Sequence, residues 1–454
     1  MDVLDGVLWG DNGDFGTSPE PTSGANVNTT NANFSKMCMK LRDTQAPLDP
    51  HSYALGLCPA DAIFPRRLYG EVMLPIGLLR IGRQPFTEGA AVAVNDGDGR
   101  KNRFGIANRG NSVDRILFAT KPFEALEPLG KRDSSAERGF FLIAAYDRLV
   151  TDSPQKLGDD LHNWITAIRL LMPRHAFGTK AEMRLFHAFR WDDQYGTGVH
   201  AVGTRLMSKL FHRFWAGIDA TMVVGPTREV SESFRVITND PPTSQKIRQM
   251  GARAVVRYDL PRFTAYLEFD YASGDADPQV RTPLTQFRFA EDSNVGLLLF
   301  KHVLAYQTGQ AAAAAIPLLQ SLRAPSLPVE SIATRGSFTN AVAIFPQVDV
   351  RPVKNVLLRG GALFAWAAAP VNDPVASQQR RDGVTIQDDL VNFAGGKPGR
   401  FYGVELDARV QWRLFEHFAL DLEGAVLLPG DALQDKNGYA ARSGLVQGRS
   451  TFWF

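Results

Sequence analysis

The residues of this chain best placed to do chemistry lie in two runs of alternating charge. Glu405, Asp407, Arg409 and Arg413 alternate with apolar residues, and Asp421 and Glu423 follow beyond Leu414-Phe415-Glu416-His417. Arg253 and Arg257 precede Glu268 and Asp270 in the same layout. Two carboxylates two positions apart, such as Glu405 and Asp407, resemble the acid/base pair of a glycoside hydrolase only superficially. On an extended chain they share one face, where each pairs more simply with an Arg of the neighbouring strand. Opposite charges spread over a wet wall brace it, and they also set up a transverse field that orders water and sorts solutes by charge. The expected role of Arg253, Arg257, Glu268, Asp270, Glu405, Asp407, Arg409, Arg413, Asp421 and Glu423 is to line a lumen. Selectivity and bracing are compatible consequences of that role.

Other chemistries find little support. The eight His are scattered, and none stands at metal-ligand spacing from another. His212, His302 and His417 fall near expected strand ends or turns, in interfacial or solvated positions. There is no nucleophile elbow, P-loop or zincin helix, so the chain is expected to have no catalytic residues and not to be an enzyme. Asn95-Asp96-Gly97-Asp98-Gly99 offers oxygen ligands, but the remaining positions of a calcium loop are missing, and a turn is expected. Cys38 and Cys58 enclose 19 residues. They either stay as thiols or bridge in an oxidising compartment, where the loop closure contributes ~3 kcal/mol. No C-x-x-C-H occurs, and no cofactor is expected.

The elements that carry the charged runs are strands. Val404, Leu406, Ala408, Val410 and Trp412 are apolar between polar neighbours, and Phe418, Leu420, Leu422 and Val426 repeat the pattern around Asp421 and Glu423. Period two makes an antiparallel hairpin with one oily and one charged face. In a soluble sandwich the oily face meets a second sheet; in an outer-membrane barrel it meets lipid while the charged face lines a wet lumen. The chain ends on Phe452-Trp453-Phe454. Termini in water usually fray, whereas the last strand of a barrel places aromatics in the interfacial girdle. A terminal Phe also resembles the signal that such barrels present to their insertion machinery. The expected fold is therefore all-β, a transmembrane antiparallel barrel of about 16 (16–18) strands with both termini on the periplasmic side.

The bulk numbers agree. Charged residues make up 22% and apolar ones 44%, as in a soluble protein, but only alternate barrel residues face lipid. No apolar run is long enough for a transmembrane helix. A net charge of +2 exerts no whole-chain pull on nucleic acid, so no nucleic-acid partner is expected. Met1 to Gly6 shows neither a basic nor an apolar signal region, so the numbering is expected to begin after a leader.

Residues 1–33 read as an extended or loop segment, and 34–454 as one barrel domain. A first strand is expected around 36–42, two more over 67–84 around Pro75, and others over 114–120, 139–148, 161–171, 181–191, 199–210 and 213–224. Trp164 to Leu171 reads equally as helix. The pair 253–259 and 266–271 is followed by a loop over 272–293, a strand at Val295 to Phe300 and a helix at Ala311 to Ala315. Strands resume at 335–345, 348–356 and 357–367, and a polar loop over 372–400 precedes the hairpin that starts at Phe401. Tight turns (260–263, 414–417) alternate with long loops (272–293, 429–443), the asymmetry of a periplasmic and an outer end.

Several segments together resemble the alginate-export-like outer-membrane barrels. They are Leu79-Arg80-Ile81-Gly82-Arg83-Gln84 with Val113-Asp114-Arg115, Tyr271-Ala272-Ser273-Gly274-Asp275, and Gly403-Val404-Glu405-Leu406-Asp407 leading to Leu428-Pro429-Gly430-Asp431. Asn95-Asp96-Gly97 and Asn294-Val295-Gly296-Leu297-Leu298-Leu299-Phe300 are similar to a myxobacterial-type branch. The resemblance implies a Gram-negative outer-membrane channel, porin or exporter, that passes polar solutes or polysaccharide. Alginate exporters gather Arg and Lys in the lumen for a polyuronate; the mixed charges here depart from that. The alternative is a structural barrel that sheathes or docks a partner such as a lipoprotein, a cytochrome or a secretion component. Expected partners are the bilayer, the insertion machinery, the solute and a periplasmic protein.

Overall fold

A computed structural model of the chain describes residues 67–85, 102–105, 112–151 and 162–452, with gaps at 134, 177, 194–195, 212, 291–292, 310, 312–331, 335, 381, 391–394 and 397. It also describes Asp2–Val3 paired with Ile63–Phe64. Fifteen strands form one antiparallel meander in which each strand pairs with its neighbours in sequence. They are β1 (Leu68–Leu74), β2 (Gly77–Pro85), β3 (Ser112–Thr120), β4 (Gly139–Thr151) and β5 (His162–His175). Next come β6 (Gly178–Asp192), β7 (Thr197–Leu210), β8 (Phe214–Thr227), β9 (Gln245–Asp259) and β10 (Phe263–Ala272). The last five are β11 (Ala341–Val350), β12 (Val356–Ala367), β13 (Phe401–Phe415), β14 (Phe418–Pro429) and β15 (Ser443–Phe452). Among the described residues no ladder joins β1 to β15. The expected strand at 36–42, the cysteines, the 95–99 turn and His212 lie outside the described residues.

Parity decides which side chains point outward. Leu406 is 50% exposed and Leu422 56%, whereas Glu405, next to Leu406 on its strand, is 0%. An apolar residue half exposed beside a fully buried carboxylate is the reverse of a soluble sheet, and it fits a sheet whose outer solvent is lipid. Two aromatic bands edge that outer face. Phe415, Phe418 and Phe452 cluster at the short-turn end, with Phe418 and Phe452 centroids 4.3 Å apart. Trp366 packs on Phe401 at 5.4 Å at the other end. From Phe401 to Trp412 the strand runs about 37 Å at ~3.4 Å per residue, and a tilt of ~45° makes that ~26 Å of height, close to the apolar band of a membrane barrel. Gly403 resets the parity of β13: its φ of +129° places Tyr402 on the inner side, and a Cβ there would lie 2.3 Å from the Leu428 carbonyl oxygen.

Two parts of the sequence reading are corrected. Val295 to Phe300 is not a strand: it folds inside the sheet and runs into a π-helical turn, Leu299–Leu304. A short apolar run suits a buried strand and a buried turn equally, and Gly296 at φ +71° breaks extension here. The strands expected at 335–345 and 348–356 are instead a single strand, β11, so the chain turns at 351–355. Trp164 to Leu171 is strand throughout. A helix that the sequence reading lacked, α1 (Glu229–Thr238), closes on Asn239, whose left-handed backbone lets its N–H donate to the Arg235 carbonyl at 2.8 Å.

The inner core lies against β10–β14. Ala272, Ala341, Ala343, Ala365 and Ala367 are buried there and leave room for Leu297, Leu299, Phe300, Phe338 and Phe104. If Leu422 faces lipid, Leu422→Lys costs ~2–4 kcal/mol while Leu422→Met is near neutral. Urea unfolding of the protein in vesicles measures both, and equal midpoints for the two variants would reject the outward assignment.

Candidate functional site

The inner surface is organised by a carboxylate that holds backbone. The Leu297, Leu298 and Leu299 N–H groups donate to Glu405 at 2.6, 2.7 and 2.6 Å. These donors open the π-helical turn, so the carboxylate meets both unpaired N–H groups and the positive end of their dipoles. Gly296 is required beside them, because a Cβ would lie 2.8 Å from Glu405 Oε1. A second inward piece, residues 102–105, locks the first. Asn294 donates from its backbone N to Asn102 Oδ1 at 3.0 Å and from Nδ2 to the Phe104 carbonyl at 3.1 Å. The Gly105 N–H donates to Glu423 at 3.1 Å, and Arg409 donates to the Arg103 carbonyl at 3.0 Å. Arg103 itself reaches Asp349 at 2.8 Å and lies 4.0 Å over the Tyr266 ring.

The ten residues read from the sequence fall into separate groups. Arg253 contacts Asp270 at 2.6 Å, Glu268 at 3.5 Å and Ser293 Oγ at 3.2 Å. Arg409 donates twice to Asp421, at 2.9 and 2.7 Å, and lies 3.5 Å from Glu423; Arg449 completes Asp421 at 3.0 Å. Glu405 and Asp407 are neighbours on β13, both buried. Arg257 pairs with Asp259 at 2.9 Å near the short-turn end and stacks on Trp215, and Arg413 is exposed at the same end. Glu268, Asp270, Asp421 and Glu423 are thus spent on arginines of the wall and Glu405 on inward backbone, whereas Asp407 is buried beside Glu405 with neither oxygen hydrogen-bonded. Burial of such pairs demands full partnering, and removing one member costs about 3–5 kcal/mol.

The open part of the lumen is lined by Arg253 and Glu268 of the expected set together with residues that the sequence reading missed. A cavity of about 460 Å³ is bounded by Arg103, Arg169, Arg184, Arg205 and Arg253, with Glu182 and Glu268 as its acids. Glu182 on β6 serves three of these arginines, at 3.0 Å from Arg169 and 3.8 Å from both Arg184 and Arg205. Inner parity on β5, β6 and β7 (Ile165, Ala167, Arg169; Glu182, Arg184; Arg205) was the signal that could have found them. Toward the long loops a second cavity of about 490 Å³ is bounded by α1, the 275–288 segment and the inward turn. At its edge Asp275 accepts N–H bonds from Asp277 (3.0 Å) and Thr285 (3.1 Å). Burial nevertheless pushes its carboxyl above the usual carboxylate range. The folded state therefore favours the protonated form, and this group's contribution to stability falls as pH rises through that raised value.

Residues 329–446 match the alginate-export family model. The match spans β11–β14 and enters β15; it includes Glu405 but not the Leu297–Leu299 amides that Glu405 holds. Among solved structures the chain is similar to Pseudomonas aeruginosa OccK5 (OpdH), at 10% identity and TM-score 0.43, covering 85% of this chain and 81% of that one. The outer membrane protein OprD from the same organism matches at 10% identity and TM-score 0.40, over 82% and 75%. No curated protein matches the chain. An antiparallel meander with an apolar outer face, aromatic bands and an alginate-export match is an outer-membrane barrel protein of a Gram-negative envelope.

Glu405→Ala strands three buried donors, on the order of 3 kcal/mol, and releases the inward turn; Glu405→Gln retains one acceptor oxygen and falls between. Single-channel conductance is expected to rise in the order wild type, Gln, Ala. The same conductance in all three would contradict the latch.

Proposed function

We propose that the chain is an outer-membrane channel that admits small polar anions. The observation that supports this reading is the group of Arg169, Arg184 and Arg205 around one carboxylate, Glu182, with Asp219 3.9 Å from Arg205; Arg103 and Arg253 of the same cavity are paired with Asp349 and Asp270. A charge in a narrow wet passage with low-dielectric walls is screened less than in bulk, so its field is focused on a passing ion. Guanidinium also matches carboxylate and phosphate oxygens in a bidentate way, which suits it to such solutes.

The inward residues 102–105 and 294–304 occupy the space that a sheathed partner would need, which favours a channel over a structural sleeve. They also narrow the bore for a polymer, so a small solute fits better than a polysaccharide chain. The resemblance to exporters of a polyuronate agrees with an anionic solute, and it is the chamber, not the paired charges of β13 and β14, that supplies the attraction.

In a potassium chloride gradient the wild-type reversal potential is expected to favour chloride. Replacing Arg169, Arg184 and Arg205 together by Gln shifts it toward potassium, whereas replacing Arg257 and Arg413, both near the short-turn mouth, shifts it less. Raising salt from 0.1 to 1 M shrinks both shifts, because the Debye length falls from ~10 to ~3 Å. A cation-selective wild type, or a triple variant with unchanged selectivity, would contradict the proposal.

A further inference from the structure

The wall that faces lipid is not uniform around the sheet. At the long-loop ends of β10–β14 its outward residues are Tyr271, Val342, Trp366, Phe401 and Leu428, none of them charged. Across β2–β9 the same end carries Arg83, Arg148, Lys246 and Arg248. Among the described residues, one carboxylate of these strands, Asp114, shares that outward end. Parity places the charges outside. Arg115 and Asp147, next to Asp114 and Arg148 in sequence, form a buried inward pair at 2.6 Å, and Ile247 and Gln249, which alternate with Lys246 and Arg248, face the interior. Asp114 is taken by Arg83, which donates to it twice, at 3.0 and 3.2 Å. Lys246 and Arg248 are exposed and paired with no carboxylate among the described residues. Charges on a lipid face are tolerated at headgroup level, where anionic headgroups meet them.

Between Arg148 and the two β9 cations runs a line of flat rings on the same outer face. Tyr146 stacks on His162 at 5.9 Å, with its Oη 2.8 Å from His162 Nδ1. His162 stacks on Trp191 at 5.3 Å, Trp191 on Phe189 at 5.6 Å, and Phe189 on His200 at 4.7 Å. His187 ends the line, its Nε2 2.9 Å from His200 Nδ1. Hydrocarbon chains make no use of ring nitrogens or of hydroxyls. A sugar does, and its C–H faces also pack on flat aromatic rings. Arg148 on β4 and Arg248 on β9 flank this line, five strand spacings or about 24 Å apart along the wall.

We propose that this sector of the outer wall binds a phosphorylated glycolipid of the outer leaflet. Its sugar rings lie on the line from Tyr146 to His200, and its phosphates meet Arg148 on one side and Lys246 and Arg248 on the other. Its acyl chains descend the wall over Trp164, Leu185 and Val202, which are 52%, 48% and 41% exposed. Guanidinium takes two phosphate oxygens at once, which suits Arg to both flanks. A lipid fits where a soluble anion does not, because the cations and rings share one face with the chain-contacting residues below them. The site lies outside the lumen and is independent of what the channel passes.

The test is native mass spectrometry of the full-length protein in detergent, with three lipids as probes: a diphosphorylated disaccharide lipid (lipid A), the same lipid without phosphates, and phosphatidylglycerol. Lipid A is expected to be retained at a concentration about 10-fold lower than either of the others. Arg148→Gln with Lys246→Gln and Arg248→Gln should bring it within about threefold of its dephosphorylated form. Arg351→Gln with Lys354→Gln, at the β11–β12 turn of the opposite end, should leave the preference unchanged. Trp191→Leu keeps every charge and should weaken lipid A while sparing phosphatidylglycerol, so the sugar contact is read even if the triple variant fails to fold. Equal retention of lipid A and its dephosphorylated form by the wild type would overturn the proposal. Displacement of lipid A by excess inorganic phosphate would overturn it too, as would equal loss of preference at both ends of the barrel. Unchanged lipid A binding in Trp191→Leu would remove the sugars from the ring line.

Discussion

The interior of this barrel depends on one carboxylate that holds the start of a helical turn. Glu405 is buried on the inner face of β13 and accepts from three consecutive backbone N–H groups. A chain segment carried into a lumen loses water around every amide, and each unpaired amide costs the price of a lost hydrogen bond. The turn Leu299–Leu304 satisfies its later amides internally, but its first ones have no partner of their own. A carboxyl side chain on the wall meets that need at short distance. Without it the apolar residues Leu297, Leu299 and Phe300 would have no fixed place on the alanine-lined wall.

This constraint sorts the charges. The acids of β10, β13 and β14 face inward, where one holds backbone and others neutralise Arg253, Arg409 and Arg449. Residues 102–105 add a second layer, through the Gly105 N–H on Glu423 and the Arg103 carbonyl under Arg409. With one side of the lumen filled and electrically balanced, the opposite side on β5–β7 determines what a solute meets. There Arg169, Arg184 and Arg205 surround Glu182, and Asp219 lies 3.9 Å from Arg205. The asymmetry of the passage follows from where the inward segments dock.

Much of the wall was legible from the sequence, because lipid outside and charge inside force strict alternation. The hairpin of β13 and β14 shows it from Val404 to Trp412 and again from Leu420 to Glu423, and its outer residues Leu406, Val410, Leu420 and Leu422 are exposed as that alternation requires. The inward segment was not legible. Val295 to Phe300 is an apolar run whose strand-like composition hides its fate, and the residue that fixes it lies about a hundred positions away. The arginine chamber was missed for a milder reason: on β5 the inner residues mix Asn163, Ile165 and Ala167 with Arg169, so charge alternation is diluted. Glu405 was read as one of many lumen charges, since nothing in its spacing distinguishes an acid that meets water from one that meets amides.

Amide hydrogen exchange of the wild-type protein in lipid tests the central claim most directly. If Glu405 holds the turn, the Leu297, Leu298 and Leu299 amides exchange as slowly as the core of β13, although no strand partner covers them. Exchange at those three amides as fast as in the exposed connection around Asn437 would contradict the account.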